Sequence, residues 1–421
     1  MKQTIFRLLA DLRFSIFILL IISFCSITGT IIEQDQPLEI YKLNYPLTNP
    51  IFGFLSWDKI LKLGLDHVYT TWWFLSLIFL FGSSLTLCSF LQQLPSLKIA
   101  RRCQFFRTRN PFYKLKISTI LENFSFNQIL FRIQKNKYSI FQQKNMIYCY
   151  KGLVGRIAPI IVHLSMILIL LGTIIGSLFG FKAQEIVPKT ENFHIQNIIT
   201  TGSSSIIPNT STRVNDFWIT YTPTKTISQF YSDISILNNQ GTEMLRKTIS
   251  VNYPLVYKGI YYYQTDWNLI GLRFKNYLNQ IIEYPLINNF ENQNKVWVTW
   301  VSNDQNSQEG FIIILDNLEG YCSVYNSTGQ FLGNLELNET IPVNTLTTFL
   351  EIISSTGLQI KMDPGIPIIY LGFFFLMFST LISYITYSQI WMIKQNQQIF
   401  IGGTTNRAIF EFELEFFKFV K

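Results

Sequence analysis

The sequence predicts an α+β membrane protein: four transmembrane helices with one large antiparallel β-rich extramembrane domain between helices three and four. Three observations carry this. Four apolar runs each reach the roughly 20 residues that a helix needs to cross a bilayer. The stretch from 181 to 365 is built of short β-branched and aromatic runs cut by turn residues. Lysine and arginine gather on one side of every crossing, as membrane orientation requires. The apolar runs are continuous rather than alternating, so helices and not barrel strands make the crossings.

Residues 1–13 carry Lys2, Arg7 and Arg13 and lead into span one, 14–32. That run is too long for the core of a cleavable signal and has no A-x-A site, so it is expected to be retained. No Arg- and Ser-rich transit segment stands before it, and the chain reads as encoded where it is used. Residues 33–67 form a loop with five acids against three bases. Span two, 68–91, opens on Trp72 and Trp73, an aromatic belt at a membrane interface. Residues 92–156 hold thirteen Lys and Arg against the single acid Glu122. Span three is 157–180, residues 181–365 carry sixteen acids and eleven bases, span four is 366–388, and 389–421 is the tail. The charge bias puts the N-terminus, the basic loop and the tail on the cytoplasmic-type side, and the 33–67 loop and large domain on the other. The acidic and aromatic tail reads equally as a short amphipathic helix or an unstructured end.

Within 181–365, runs at Phe217–Tyr221, Gln229–Leu237, Thr248–Val251, Gly259–Gln264, Val296–Val301, Phe311–Leu315 and Gln359–Met362 read as strands. Asn238-Asn239-Gln240-Gly241 and Tyr257-Lys258-Gly259 are the clearest turns, and a sandwich or barrel-like domain is expected. Its single cysteine, Cys322, forbids an internal disulfide.

The net charge of +8 is accounted for by topology, which removes nucleic acid as a partner. The basic loop could also meet anionic lipid, but orientation alone is enough to explain it. Five cysteines form no C-x-x-C pair, and no G-x-S-x-G, P-loop, H-E-x-x-H or dinucleotide fingerprint occurs. Interest therefore falls on the three histidines. His163 lies inside span three, roughly 10 Å below the interface at 1.5 Å per residue. A titratable side chain at that depth is expensive and is a functional candidate by default. At 100° per residue, Ile167, Leu170 and Ile174 share its face to within about 40°. Ser165, Gly172 and Gly176 line the opposite side, where a small-xxx-small pair suits close helix contact. His163 is open to two readings, an axial ligand or proton-handling group, or a hydrogen bond to a neighbouring helix. His67, beside Asp66 at the mouth of span two, is either a ligand facing the β-domain compartment or an interfacial histidine. His194 fits a surface role.

Taken together, ordered blocks resemble the ResB/CcsB family, the membrane protein of System II cytochrome c biogenesis in its plastid or cyanobacterial form. They are Leu12–Ser15 and Gly29–Gln34 in span one, Gly64–Tyr69 with Trp72–Phe74, Ser84–Cys88 with Pro95, and Gly155-Arg156 with His163–Ser165. Val251–Gly259, Tyr263-Gln264 and Trp267 follow in the β-domain, then Asp363–Gly365, Tyr370–Gly372, Ser383-Tyr384 and Gln389–Trp391. The resemblance implies a non-catalytic or co-catalytic subunit of a haem lyase complex in the thylakoid membrane of a plastid or cyanobacterium, its large domain in the lumen. It would work with a CcsA-type multi-span protein, carrying haem b to the reduced C-x-x-C-H thiols of apocytochromes such as cytochrome f and a soluble c-type cytochrome. It also implies His163 as a haem-iron ligand, with His67 a weaker candidate for cofactor binding. Two other classes stand beside it. A small-solute transporter subunit is opposed by the lack of internal repeats and of Gly/Pro-broken helix pairs. A scaffold with a structural His163 is separated by haem spectra of His163 variants.

Overall fold

A computed structural model describes residues 2–48, 50, 55–122, 125–223, 226–238, 240–276, 279–291, 294–302, 310–316, 318, 320–341, 347–395 and 398–420. The chain divides into two units, Met1–Ser177 with Gly365–Lys421, and Leu178–Pro364.

Four helices in the first unit are long and apolar enough to cross a membrane: Leu12–Ile31, Trp72–Ala100, Val154–Phe179 and Ile366–Ser383. The second is not one regular helix. It is α-helical over Trp72–Cys88, makes a π turn over Ser89–Gln93, and resumes over Leu94–Ala100. The Leu94 N–H reaches back five residues to the Ser89 carbonyl. Pro95 supplies the cause, because it has no N–H to return to residue 91 and its ring crowds that carbonyl. Near this turn the first two spans are stitched together. Ser15 Oγ lies 2.7 Å from Ser84 Oγ, and Gln92 Nε2 donates to the Ala10 carbonyl at 2.7 Å.

The third and fourth spans meet backbone to backbone. Ser165 and Gly172 on one, and Gly365, Gly372 and Ser379 on the other, recur at every seventh position, which keeps one seam facing its partner along antiparallel helices. A Cβ on Gly365 would stand 2.0 Å from the Gly172 carbonyl, and one on Gly372 would stand 3.0 Å from the Ser165 carbonyl. The opposite side of the third span, with Ile167, Leu170 and Ile174, packs on Ile18, Ile22, Ile78 and Phe81 of the first two spans. The span thus shows both faces expected of it.

The 92–156 loop and the tail are structured together. Ile117–Glu122, Gln398–Thr405, Ser388–Gln395, Met146–Lys151 and Ser139–Gln143 form a five-stranded antiparallel sheet in that order. Helices Phe126–Lys135 and Ile409–Val420 cover one face through Ile129, Ile133, Phe412, Phe416 and Phe419. The three phenylalanines are at most 3% exposed, and each such burial is worth about 1.5–3 kcal/mol. Trp391 anchors the other face. It stacks on Phe106 at 4.7 Å, and its Nε1 donates to the Gln104 carbonyl at 2.9 Å. The tail's two outcomes are thereby resolved in favour of the amphipathic helix. Pairing of Lys151 with Ser388 also requires an even number of crossings between them, which spans three and four supply.

Among the described residues the second unit is all antiparallel β. Its spine is the pair Ile260–Lys275 and Thr348–Met362, which runs through two hydrophobic cores. Ile260, Tyr262, Leu358 and Ile360 pack against the four-stranded sheet through Val214, Ile234 and Ile249. Farther along, Leu272, Phe274, Phe349 and Ile352 pack against a five-stranded sheet through Trp297, Ile313 and Val324. A bulge at Gln264/Asp266 lies between the two cores, where the strand must change the face it buries, and a second at Leu269/Gly271 lets Leu269 and Leu272 both enter the farther core. The expected strands are present, several of them longer than the local pattern shows. Lys258 and Gly259 both have positive φ, 48° and 81°, as a two-residue hairpin turn demands. Of the Asn238–Gly241 turn, Asn239 lies outside the described residues; Gly241 has φ 79°.

Candidate functional site

His163 is met by the π turn of the second span. Its Nδ1 lies 3.0 Å from Ser89 Oγ and its Nε2 lies 3.0 Å from Gln93 Nε2. Residues 89 and 93 are four apart and so share one side of the helix, and the π turn between them rotates that side relative to the α-helix before it.

Proton bookkeeping sets the direction of these bonds. Ser89 has one hydroxyl proton, and it is donated to the Leu85 carbonyl at 2.8 Å. Ser89 Oγ must therefore accept from imidazole, which places the proton on His163 Nδ1. Nε2 is then the nitrogen with a free lone pair, and it accepts from the Gln93 amide. A neutral imidazole, anchored at Nδ1 and basic at Nε2, is the form in which histidine binds a metal. Gln93 Oε1 is buried and accepts no hydrogen bond, which costs about 1–3 kcal/mol. The amide is thus held by its donor end alone.

His67 lies at the other end of the second span. Its Nδ1 is 2.9 Å from Asp66 Oδ1, and its side chain is 47% exposed. The approach is short, yet Asp66 Oδ1 makes no hydrogen bond, so this is a close contact rather than a directed bond. His67 borders a cleft of about 680 Å³ with Leu61, Leu63, Gly64, Trp72 and Trp73, within the size range of a cofactor pocket. Trp72 is 80% exposed, while Trp73 Nε1 donates to the Leu63 carbonyl at 3.2 Å. The loop itself is pinned by Gln34. Its Nε2 donates to the Ile32 and Leu65 carbonyls, and its Oε1 accepts from the Val68 N–H.

The structure therefore brings the two candidate histidines onto one helix bundle but not to one centre. The helix from Trp72 to Ser89 separates them by about 25 Å at 1.5 Å per residue. They cannot ligate the same iron. His194 belongs to the second unit, exposed beside a cleft of about 220 Å³ with Glu185 and Glu191. Among the described residues no group of three or more His, Cys, Asp or Glu could hold a metal. Ser89 and Gln93 were missed by sequence reasoning, although Pro95 was the available signal that the helix before it is irregular.

Four crossings, a β-rich unit between the last two, and a half-buried histidine bonded across two helices define a polytopic membrane protein with a heteroatom site in its bundle. The chain belongs to the ResB-like family, whose model matches residues 12–305 and 322–417. It is 75% identical to the cytochrome c biogenesis protein Ccs1 of Phaeodactylum tricornutum and 65% identical to that of Thalassiosira pseudonana, over the whole of each chain. It is 44% identical to the cytochrome c biogenesis protein CcsB of Microcystis aeruginosa, over 97% of this chain and 92% of the other.

Proposed function

We propose that the chain serves the biogenesis of c-type cytochromes at the step of haem delivery and attachment, as the membrane subunit of a complex with a CcsA-type protein. The observation that carries this is the tautomer of His163. An imidazole held at Nδ1 by Ser89, with Nε2 opposed only by a neutral amide, is preorganised to bind a metal. The residues fit haem in chemistry: a neutral nitrogen donor flanked by Ile167, Leu170 and Leu85 offers ligation and an apolar wall. When bound, haem supplies the vinyl groups to which reduced apocytochrome thiols add.

The chain's own part is to hold and release. His163, near the basic side of the bundle, suits uptake; His67, at the opposite mouth, suits hand-over toward apocytochrome. In a plastid or cyanobacterium the membrane would be the thylakoid, with residues 178–364 in the lumen and cytochrome f and a soluble c-type cytochrome as clients. Five free cysteines without a redox pair leave thiol reduction to another protein.

One observation favours a second reading, a scaffold with a structural His163: both ring nitrogens already have partners. One experiment decides. The protein is purified with its multi-span partner, and haem spectra are recorded for His163→Ala and His163→Gly, with and without added imidazole. Loss of the haem band, restored by imidazole in the glycine variant, is expected. Unchanged haem content and cytochrome assembly in both variants would leave only the scaffold.

A further inference from the structure

We infer that Ser89 and Gln93 are the positioning residues of His163. Ser89 fixes the tautomer, and Gln93 is a displaceable cap that occupies Nε2 until iron takes it. The inference rests on reading His163 as the ligand, and it adds the two residues that decide when the ligand is available.

The geometry separates the two roles. Ser89 sits in a relay that runs one way, from imidazole Nδ1–H to Ser89 Oγ and from its O–H to the Leu85 carbonyl. Reversing His163 would break both bonds, so the relay locks the ring. Gln93 is held otherwise: its donor end meets His163 Nε2, while its Oε1 is buried without any partner. A side chain kept in place by one neutral hydrogen bond, with an unsatisfied atom at the same end, has little to lose by swinging away. The π turn adds the means. Its widened backbone stands between two α-helical segments, and return to α geometry would rotate residue 93 relative to residue 89. Ligand capture at Nε2 thus starts with the departure of one side chain.

The test uses the full-length protein in lipid nanodiscs, labelled with 15N at its three histidines and assigned with His163→Ala. Without haem, His163 should show a protonated Nδ1 and an unprotonated Nε2. Ser89→Ala should weaken that preference by about fivefold, the worth of one neutral hydrogen bond, and Ser89→Thr should restore it. Gln93→Leu should keep the tautomer and bind added haem about three- to tenfold more tightly. A protonated Nε2 in the unaltered protein, or a tautomer indifferent to Ser89→Ala, overturns the inference. So does a Gln93→Leu variant that binds haem more weakly while remaining folded. Failure of the ligand reading has its own signature, His163→Ala binding haem as the unaltered protein does, and it would take the cap with it.

Discussion

A single hydroxyl proton governs much at the residue scale. Because Ser89 donates it to Leu85, the neighbouring imidazole has no freedom to choose its tautomer. The same attention to protons separates the cysteines outside the spans. Burial pushes the Cys149 and Cys322 thiols up to about 12, while Cys103 is exposed. Thiolate is the reactive form, so below pH of about 11 neither buried thiol should react. A maleimide at pH 8 should modify Cys103 and spare these two until the protein is unfolded, read by mass spectrometry. The sign for stability follows. The folded pKa lies above the unfolded value of 9.0, so stability is undiminished below pH 9 and declines as pH rises toward 12. His163 itself was legible in the sequence because a titratable side chain stands out in an apolar run. Ser89 and Gln93 were not, since polar residues near the end of a span are ordinary.

At the scale of elements, the seam between the third and fourth spans leaves no room for a side chain. A Cβ at Gly365 would fall 2.0 Å from the Gly172 carbonyl and 2.9 Å from the Gly176 nitrogen. Gly365→Ala should therefore part the helices and destabilise the bundle by about 1–3 kcal/mol, seen as a lower melting temperature in detergent. The C-terminal helix depends on a different contact. Glu415 accepts from Lys151 Nζ at 2.8 Å and from Tyr138 Oη at 3.1 Å, tying the helix to the sheet beside Phe416. Phe416→Ala should cost about 3–5 kcal/mol and open the helix to limited proteolysis, whereas Glu415→Gln, at a half-exposed pair, should cost about 1 kcal/mol. The small-residue face of the third span was readable from helical spacing alone. The sheet was not. Gln389 and Trp391 stand where an apolar span ends, and an interfacial tryptophan is the ordinary expectation there. In fact Trp391 is 6% exposed, in the middle of a strand whose partners come from residues 146–151 and 398–405.

On the scale of the whole molecule, the positive-inside pattern and the sheet pairing agree by independent routes. Charge counts demand that residues 92–156 and the tail share a side, and hydrogen-bonded register demands it again. A protease site inserted at Gly241, whose turn has open space around it, should then be cut only from the side opposite the basic loop. Cleavage from the basic side of sealed vesicles would refute the orientation. The number and order of the spans could be read from hydropathy, and the β character of 181–365 from its turns. What hydropathy could not convey is that the second unit has two cores on one pair of long strands, because a strand that changes its buried face at a bulge shows no single alternation.

The sheet on the basic side also has a meaning for synthesis. Its first three strands emerge from the ribosome before residues 152–387, and its last two only after the final span has been made. Until then Ile147 and Cys149 have only the helix Phe126–Lys135 over them and lack Ile390, Met392, Ile401 and Phe416, and a chain whose last span failed to insert would leave that core permanently half built. Completion of this small domain is thus a built-in record of correct insertion, legible to the proteases that police the membrane. Truncation after Ser383 should accordingly give rapid turnover in a pulse–chase experiment, and not a stable, shortened protein.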